Sequence, residues 1–244
     1  MDIPGYLYPA SSPPLLMYQI KLFRFVSSWG TVHIHRGKAE LALDISVVLF
    51  DLGGVLVKLN GPEALMRLSG YSKSREEVRS AWRQCSAVKE FETGRINLNV
   101  FAERVIRDLD LPVSLGTFLQ DYPTWMNQLH SEAIDVLEMA SQRCRIAALS
   151  NISAVHWREL ESALTEAPVF EHTVLSFDTG WMKPERGAYL AAIERLGEPP
   201  DQVLFLDDSE ANVVQARRMG MRAEQARNAD EAGAMLRNLF SNRE

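Results

Sequence analysis

Cysteine is nearly absent from this chain: Cys85 and Cys144 are the only two in 244 residues. Two distant thiols build neither a disulfide framework nor a paired-cysteine zinc site, and the reduced thiols of a cytoplasmic protein are the expectation. A basic surplus is missing too. Lys and Arg number 26 against 32 Asp and Glu, a net charge of −6, which argues against a nucleic-acid surface. It leaves room for a small anionic substrate, since a bound metal reverses the local field. No apolar run approaches the ~18 residues of a bilayer span, so no membrane association is expected. There is also no internal repeat and no low-complexity tract. What remains is an ordinary globular composition, 46% apolar and 24% charged, enough for one large domain or one domain with an insertion.

Residues 1–44 differ from the rest. Met1 to Pro14 is rich in Pro, Ser, Gly and Tyr. Leu15 to Phe25 is apolar, with Lys21 and Arg24 inside or after its apolar part, the wrong order for a signal peptide. This stretch is expected to be a poorly ordered N-terminal extension that adds nothing to the chemistry.

The organising stretch follows at Val47 to Val57. Val47-Val48-Leu49-Phe50 is an unbroken apolar run, the pattern of a strand buried on both faces of a parallel sheet. It ends in Asp51, then Leu52 and the pair Gly53-Gly54, which let the backbone turn tightly and approach a ligand. From residue 59 to 130 helical periodicity takes over. A helix starts at Pro62, a second is capped near Ser72–Ser74 and runs through Trp82 towards Val88, and a third spans Asn97 to Leu109. Beyond it, helices and short strands alternate. Ser131–Arg143 reads as a helix, Arg145–Leu149 as a strand ending in Ser150-Asn151, Val155–Leu164 as a helix, and Val169–Ser176 as a turn into an extended segment. Arg186–Leu196 is a helix, Gln202–Leu206 a strand ending in Asp207-Asp208, and Glu210–Met219 a helix stopped by Gly220. Met221–Gln225 is a candidate last strand and Ala229–Leu239 a final helix. This alternation predicts an α/β fold, a doubly wound parallel sheet. Its core would comprise residues 45–58 and 131–244, with residues 59–130 a small helical cap inserted after the first strand.

Three strand ends are polar: Asp51, Ser150-Asn151 and Asp207-Asp208. In a parallel sheet those tips share one edge, where open α/β sheets bind ligands. Between the second and third lies Met182-Lys183-Pro184-Glu185, a lysine in a loop just before a helix.

This order resembles the haloacid dehalogenase superfamily. Ser150 follows Asp51 by 99 residues, Lys183 comes 33 later, and the aspartate pair 24 after that. Each of the family's four motifs has a counterpart. Phe50-Asp51-Leu52-Gly53-Gly54-Val55-Leu56 looks like the first, Leu149-Ser150-Asn151 the second, Met182–Glu185 the third, and Phe205-Leu206-Asp207-Asp208-Ser209 the fourth. In the helical block, Phe91-Glu92-Thr93-Gly94-Arg95-Ile96 is similar to a turn common in the caps of one subclass. The resemblance implies a Mg²⁺-dependent phosphatase acting on a small phosphorylated metabolite, as a monomer or a homodimer. Asp51 would be the nucleophile, forming an aspartyl-phosphate. Mg²⁺ would be held by Asp51, the Gly53 carbonyl and Asp208, with Asp207 on one of its waters or bound directly. Gly54, Ser150 and Asn151 would hold phosphate, and Lys183 would neutralise charge.

One position departs from the pattern. The family's phosphatases usually carry a second aspartate, a general acid and base, two residues after the nucleophile; here Gly53 stands there. The chain resembles an Asp-x-Gly branch that includes α-glucose-1-phosphate phosphatases, which makes a sugar phosphate the expected substrate. That branch often carries His-Trp after Ser-Asn, as His156-Trp157 does here, so His156 is the candidate proton carrier and Glu92 a weaker one. Two other readings stand beside this one. A dehalogenase would use Asp51 without metal and need a cap arginine, with Arg67, Arg83 and Arg95 available. A weakly active or non-catalytic relative is made thinkable by Gly53.

Overall fold

The computed structural model describes residues 45–164, 168 and 170–241. Residues 1–44, where an extension is expected, lie outside the described residues, as does Val169 at the start of the expected extended segment. Five parallel strands form the sheet: β1 (Val47–Phe50), β2 (Arg145–Ser150), β3 (His172–Leu175), β4 (Val203–Asp207) and β5 (Arg222–Gln225). Their order is β3-β2-β1-β4-β5. β1 is central, with Phe50 level with Ala148 of β2 and Leu206 of β4, so the polar ends of the three strands lie side by side.

Successive residues of these strands face opposite sides, and helices cover both. Val48, Phe50, Ile146, Ala148, Leu204 and Leu206 pack in one layer with α6 (Ala133–Ser141) and α11 (Ala229–Ser241). Val47, Leu49, Ala147, Leu149, Val203 and Phe205 pack in the other with α9 (Arg186–Leu196) and α10 (Glu210–Arg218). Burial on both faces is why the strands read as continuous apolar runs rather than alternating ones. The crossover elements α7 (Ala154–Ala163) and the one-turn α8 (Ser176–Thr179) follow β2 and β3. The protein is thus the expected doubly wound α/β sheet.

Between β1 and β2 the chain is helical: α1 (Gly61–Leu68), α2 (Arg75–Gln84), α3 (Ser86–Glu92), α4 (Leu98–Asp108), α5 (Leu115–Asp121) and a 3₁₀ turn at Tyr122–Met126. Ser74 and Glu77 form a reciprocal capping box at α2, and the side chains of Asn97 and Ser114 cap α4 and α5. The single helix expected to run from Ser72 past Trp82 to Val88 is instead two. Cys85 takes an extended conformation, φ −71° and ψ 112°, and the helix restarts in a new direction. These helices have their own apolar core, rich in rings: Phe91 stacks on Phe101 (4.2 Å between centroids) and Phe118 on Tyr122 (5.8 Å). The block leaves and rejoins the sheet domain through paired segments. Lys58 N–H donates to the Gln128 carbonyl (2.8 Å) and His130 N–H to that of Leu56 (2.9 Å).

Candidate active site

Asp51 leaves the central strand with its carboxylate half-satisfied. Its Oδ1 accepts from Leu52 N–H (2.7 Å) and from the Lys183 ammonium (2.7 Å). No hydrogen bond to Oδ2 forms among the described residues. Lys183 is 1% exposed and lies equally close to Asp207, 2.7 Å from its Oδ2. The other bonds to Asp207 come from Ser209 N–H (2.8 Å) and the Asn212 amide (2.9 and 3.1 Å). Asp207 is therefore a fully engaged, buried anion that anchors the lysine. The lysine loop is fixed from β2: Asn151 donates its amide to the Lys183 carbonyl (2.9 Å) and accepts from the Lys183 N–H (2.7 Å). The Lys183–Pro184 peptide is cis.

The electrostatics follow from three carboxylates and one ammonium removed from water. Burial pushes Asp51 up to about 7; Lys183 opposes this, while Asp207 and Asp208 add to it. Burial works against the charge on Lys183, but Asp207 and Asp51 outweigh it and hold the lysine above its ordinary value. Asp208 is raised by burial and by Asp207. Carboxylate oxygens of Asp51, Asp207 and Asp208 lie within 4.8 Å of one another. Hard oxygen donors with this surplus of negative charge fit Mg²⁺, which would relieve the repulsion. Gly54 permits the approach of Asp208: it has φ +88°, and a Cβ there would meet Asp208 Oδ2 at 2.7 Å. Ser150, at the tip of β2, is 2% exposed, and its Oγ is a buried hydroxyl without a partner. Such a group calls for a ligand or water.

A cavity of about 490 Å³ opens over these groups, walled by the sheet edge below and the helical block above. Asp51, Gly53, Asn151, His156, Lys183, Asp208 and Glu92 line it, whereas Ser150, Gly54 and Asp207 do not. His156 Nε2 lies 2.8 Å from the Tyr122 carbonyl, a contact only a protonated nitrogen can make, and the ring lies 4.2 Å from that of Tyr122. Burial drives its pKa down to about 4, so the imidazole is neutral at pH 7. Glu92 ends α3 and also lines the cavity, where desolvation raises it to about 7. Its turn runs tightly against the core, since a Cβ at Gly94 (φ +71°) would meet the Phe177 carbonyl oxygen at 2.7 Å.

Sequence reading named Arg83 but missed other residues of this cavity. Arg75 and Arg79 reach it from α2 beside Arg83, as do Trp82 and Trp125. Arg75 pairs with Glu63 and Arg83 with Glu76, whereas Arg79 has no ion pair among the described residues and acts electrostatically on Asp208. The four-residue spacing of those arginines was a usable signal, one helix face. Of the arginines expected for a dehalogenase, Arg67 pairs with Asp121 and, like Arg95, does not line the cavity; Arg83 does.

Solved structures with this architecture include a HAD family enzyme from Bacteroides thetaiotaomicron, 24% identical, covering 75% of this chain and 93% of that one with a TM-score of 0.63. The same enzyme in complex with magnesium and inorganic phosphate matches at 23% identity, 74% and 93% coverage and a TM-score of 0.59. The L-2-haloacid dehalogenase of Xanthobacter autotrophicus, with chloropropionic acid covalently bound, matches at 22%, 75% and 77%, and 0.56. At such identities the likeness is one of fold. Among curated proteins, drimenol cyclase drtB of Aspergillus calidoustus is 29% identical over 101 residues, 41% of this chain; the chain spans about a fifth of that relative, 19%. A profile of the haloacid dehalogenase-like hydrolases matches residues 45–220. With most of its length matched, the chain belongs to the haloacid dehalogenase-like hydrolases.

Proposed function

We propose that the protein hydrolyses a small phosphomonoester through a covalent phosphoryl-Asp51 intermediate, with Mg²⁺ as cofactor. The observation that supports this best is Asp51 itself: one carboxylate oxygen pinned by Lys183 and Leu52, the other without a partner among the described residues, at a cavity shared with Asp208. An Asp51 oxygen attacks phosphorus and the bond to the leaving alcohol breaks. Water then attacks the same phosphorus, breaking its bond to Asp51 and releasing inorganic phosphate. Lys183 steadies the nucleophile and the transferred group, and Ser150 Oγ, at the tip of β2 next to the Asp51 strand, is an unfilled donor. Mg²⁺, held by Asp51 and Asp208 with the Gly53 carbonyl and Asp207 beside them, would offset charge on the phosphoryl oxygens.

Proton transfer to the leaving alcohol is where this chain differs. Gly53 carries no acid, and His156 is a neutral ring tied to the Tyr122 carbonyl, which suits it to positioning that wall. Glu92, raised to about 7 and lining the cavity, is the better-suited donor. A dehalogenase reading is disfavoured by the carboxylate trio, which would repel a haloacid unless a cation were bound.

The test is phosphate release from a panel of esters by wild type and Asp51→Asn, each with Mg²⁺ and with EDTA. Turnover only by wild type with Mg²⁺ is expected. Metal-independent release of halide from haloacids, with no ester turned over, would overturn the reading.

A further inference from the structure

Resting on the phosphatase reading, we infer that the substrate's organic group is apolar, a phosphate ester of an alkyl or aryl alcohol rather than of a sugar. The apolar part of the cavity lining is Leu59, Pro62, Leu65, Trp82, Trp125 and Met126. Trp82 and Trp125 stand 5.5 Å apart, tilted by 54°, forming one aromatic surface. Leu59 is 43% exposed in this lining, an apolar side chain that water covers until a ligand does. Leu59 and Met126 also close over Gly53: a Cβ there would meet Leu59 Cδ2 at 3.0 Å and Met126 Cε at 3.2 Å. The place where the family's phosphatases usually set a second carboxylate is thus an apolar surface in this chain.

The polar inventory points the same way. No Ser, Thr, Tyr or Gln lines the cavity among the described residues. Of the two amides that do, Asn151 has both ends bonded to the Lys183 backbone, and the Asn212 amide group is held by Asp207. Arg75 and Arg83 each commit one guanidinium nitrogen to an exposed ion pair, with Glu63 and Glu76, and keep further donors. Away from Asp51, Lys183 and Asp208, the remaining polar side chains are Glu92, Arg79 and His156, the last bonded through Nε2 to the Tyr122 carbonyl. A pyranose seated against the apolar lining would leave the hydroxyls on that side without partners, and each buried hydroxyl left unpaired is unfavourable. An apolar group leaves none unpaired and gains from the tryptophans and leucines.

The experiment is a homologous series, ethyl to octyl phosphate with phenyl phosphate, set against glucose 1-phosphate and glucose 6-phosphate, all with Mg²⁺. The expected result is kcat/KM rising about fourfold per added methylene over the first several members and passing both sugar esters. Leu59→Asn, at a position 43% exposed, should flatten that slope in protein whose melting temperature is unchanged. A flat series, or preference for the sugar esters, overturns the inference while leaving the phosphatase reading standing. Should no ester turn over, the phosphatase reading fails, and calorimetry of the same series on the Mg²⁺-loaded protein still decides the inference. Kd falling with chain length supports it; Kd independent of chain length overturns it.

Discussion

Replacing Gly53 with aspartate is the perturbation that most directly probes what this site lacks. Gly53 has no positive φ, so an L residue is conformationally allowed there. Sterically, its Cβ would stand 3.0 Å from Leu59 Cδ2 and 3.2 Å from Met126 Cε, tighter than ordinary contact by a few tenths of an ångström. Both obstacles are the ends of flexible side chains, and Leu59 is 43% exposed and free to turn aside. The cost should fall at the low end of overpacking penalties, about 1 kcal/mol. General acid–base assistance is worth roughly 100- to 10,000-fold. Some of it is already supplied if Glu92 donates, so the gain in kcat should be nearer tenfold to a hundredfold. It should appear only with alkyl phosphates, whose alkoxide must be protonated as it leaves, and not with p-nitrophenyl phosphate, whose anion leaves unaided. Gly53→Asp/Leu59→Ala, which removes the nearer obstacle, should gain more than Gly53→Asp alone, because the two positions touch. The assay is steady-state phosphate release on both esters with both variants, alongside thermal melts. Equal effects on the two esters, or no gain in either folded variant, would refute the reasoning that a missing proton donor limits the rate.

Other predictions concern the groups that hold the site. Lys183→Met should destabilise the metal-free protein by about 3–5 kcal/mol at pH 8 in urea melts, because it leaves two buried carboxylates uncompensated. Asp51 is already raised from 3.8 to about 7. The folded form therefore binds the extra proton between those values, and the deficit of the variant should shrink as pH falls through 7 towards 4. Glu92 is likewise raised, from 4.5 to about 7. Ionising it opposes folding as pH rises from 4.5 through 7, so Glu92→Gln should be about 3 kcal/mol more stable than wild type at pH 9, melting roughly 6–12 °C higher, and match it only below about pH 4. If Glu92 also donates the proton, the fall of wild-type kcat/KM above pH 7 should vanish in that variant. Asn151→Ala removes both bonds holding the Lys183 backbone, 2.7 and 2.9 Å long. It should lower kcat about 100-fold, the effect of an ångström-scale misplacement, with KM changed less.

Much of the sheet was legible because its physics is local. Val47–Phe50, Ile146–Leu149 and Val203–Leu206 are buried on both faces, so their apolar runs announce them, and each run ends at a residue of the site. Asp51 and Asp208 could be named as candidates for that reason, whereas Lys183, in a loop between α8 and α9, was marked only by the family resemblance. The tertiary bonds could not. Asn151 clamps Lys183 across 32 residues, and Asn212 holds Asp207 from the first turns of α10; nothing in either local pattern specifies a partner. The break at Cys85 is a two-dihedral event inside a helical pattern, invisible to periodicity. The cavity's upper wall was least legible: Trp82 and Trp125 pack in the core of the helical block and also line the cavity. Which edge of that core faces Asp51 depends on how the block docks over the sheet.

The account turns on a phosphoryl group passing through Asp51. Wild-type protein mixed with excess hexyl phosphate and Mg²⁺, quenched in acid within the first turnovers and digested, should yield the Asp51-containing peptide carrying one phosphoryl group. Asp51→Asn treated identically should yield none. A peptide that stays unmodified while wild type releases phosphate at full rate, or one carrying the alkyl group instead, would contradict it.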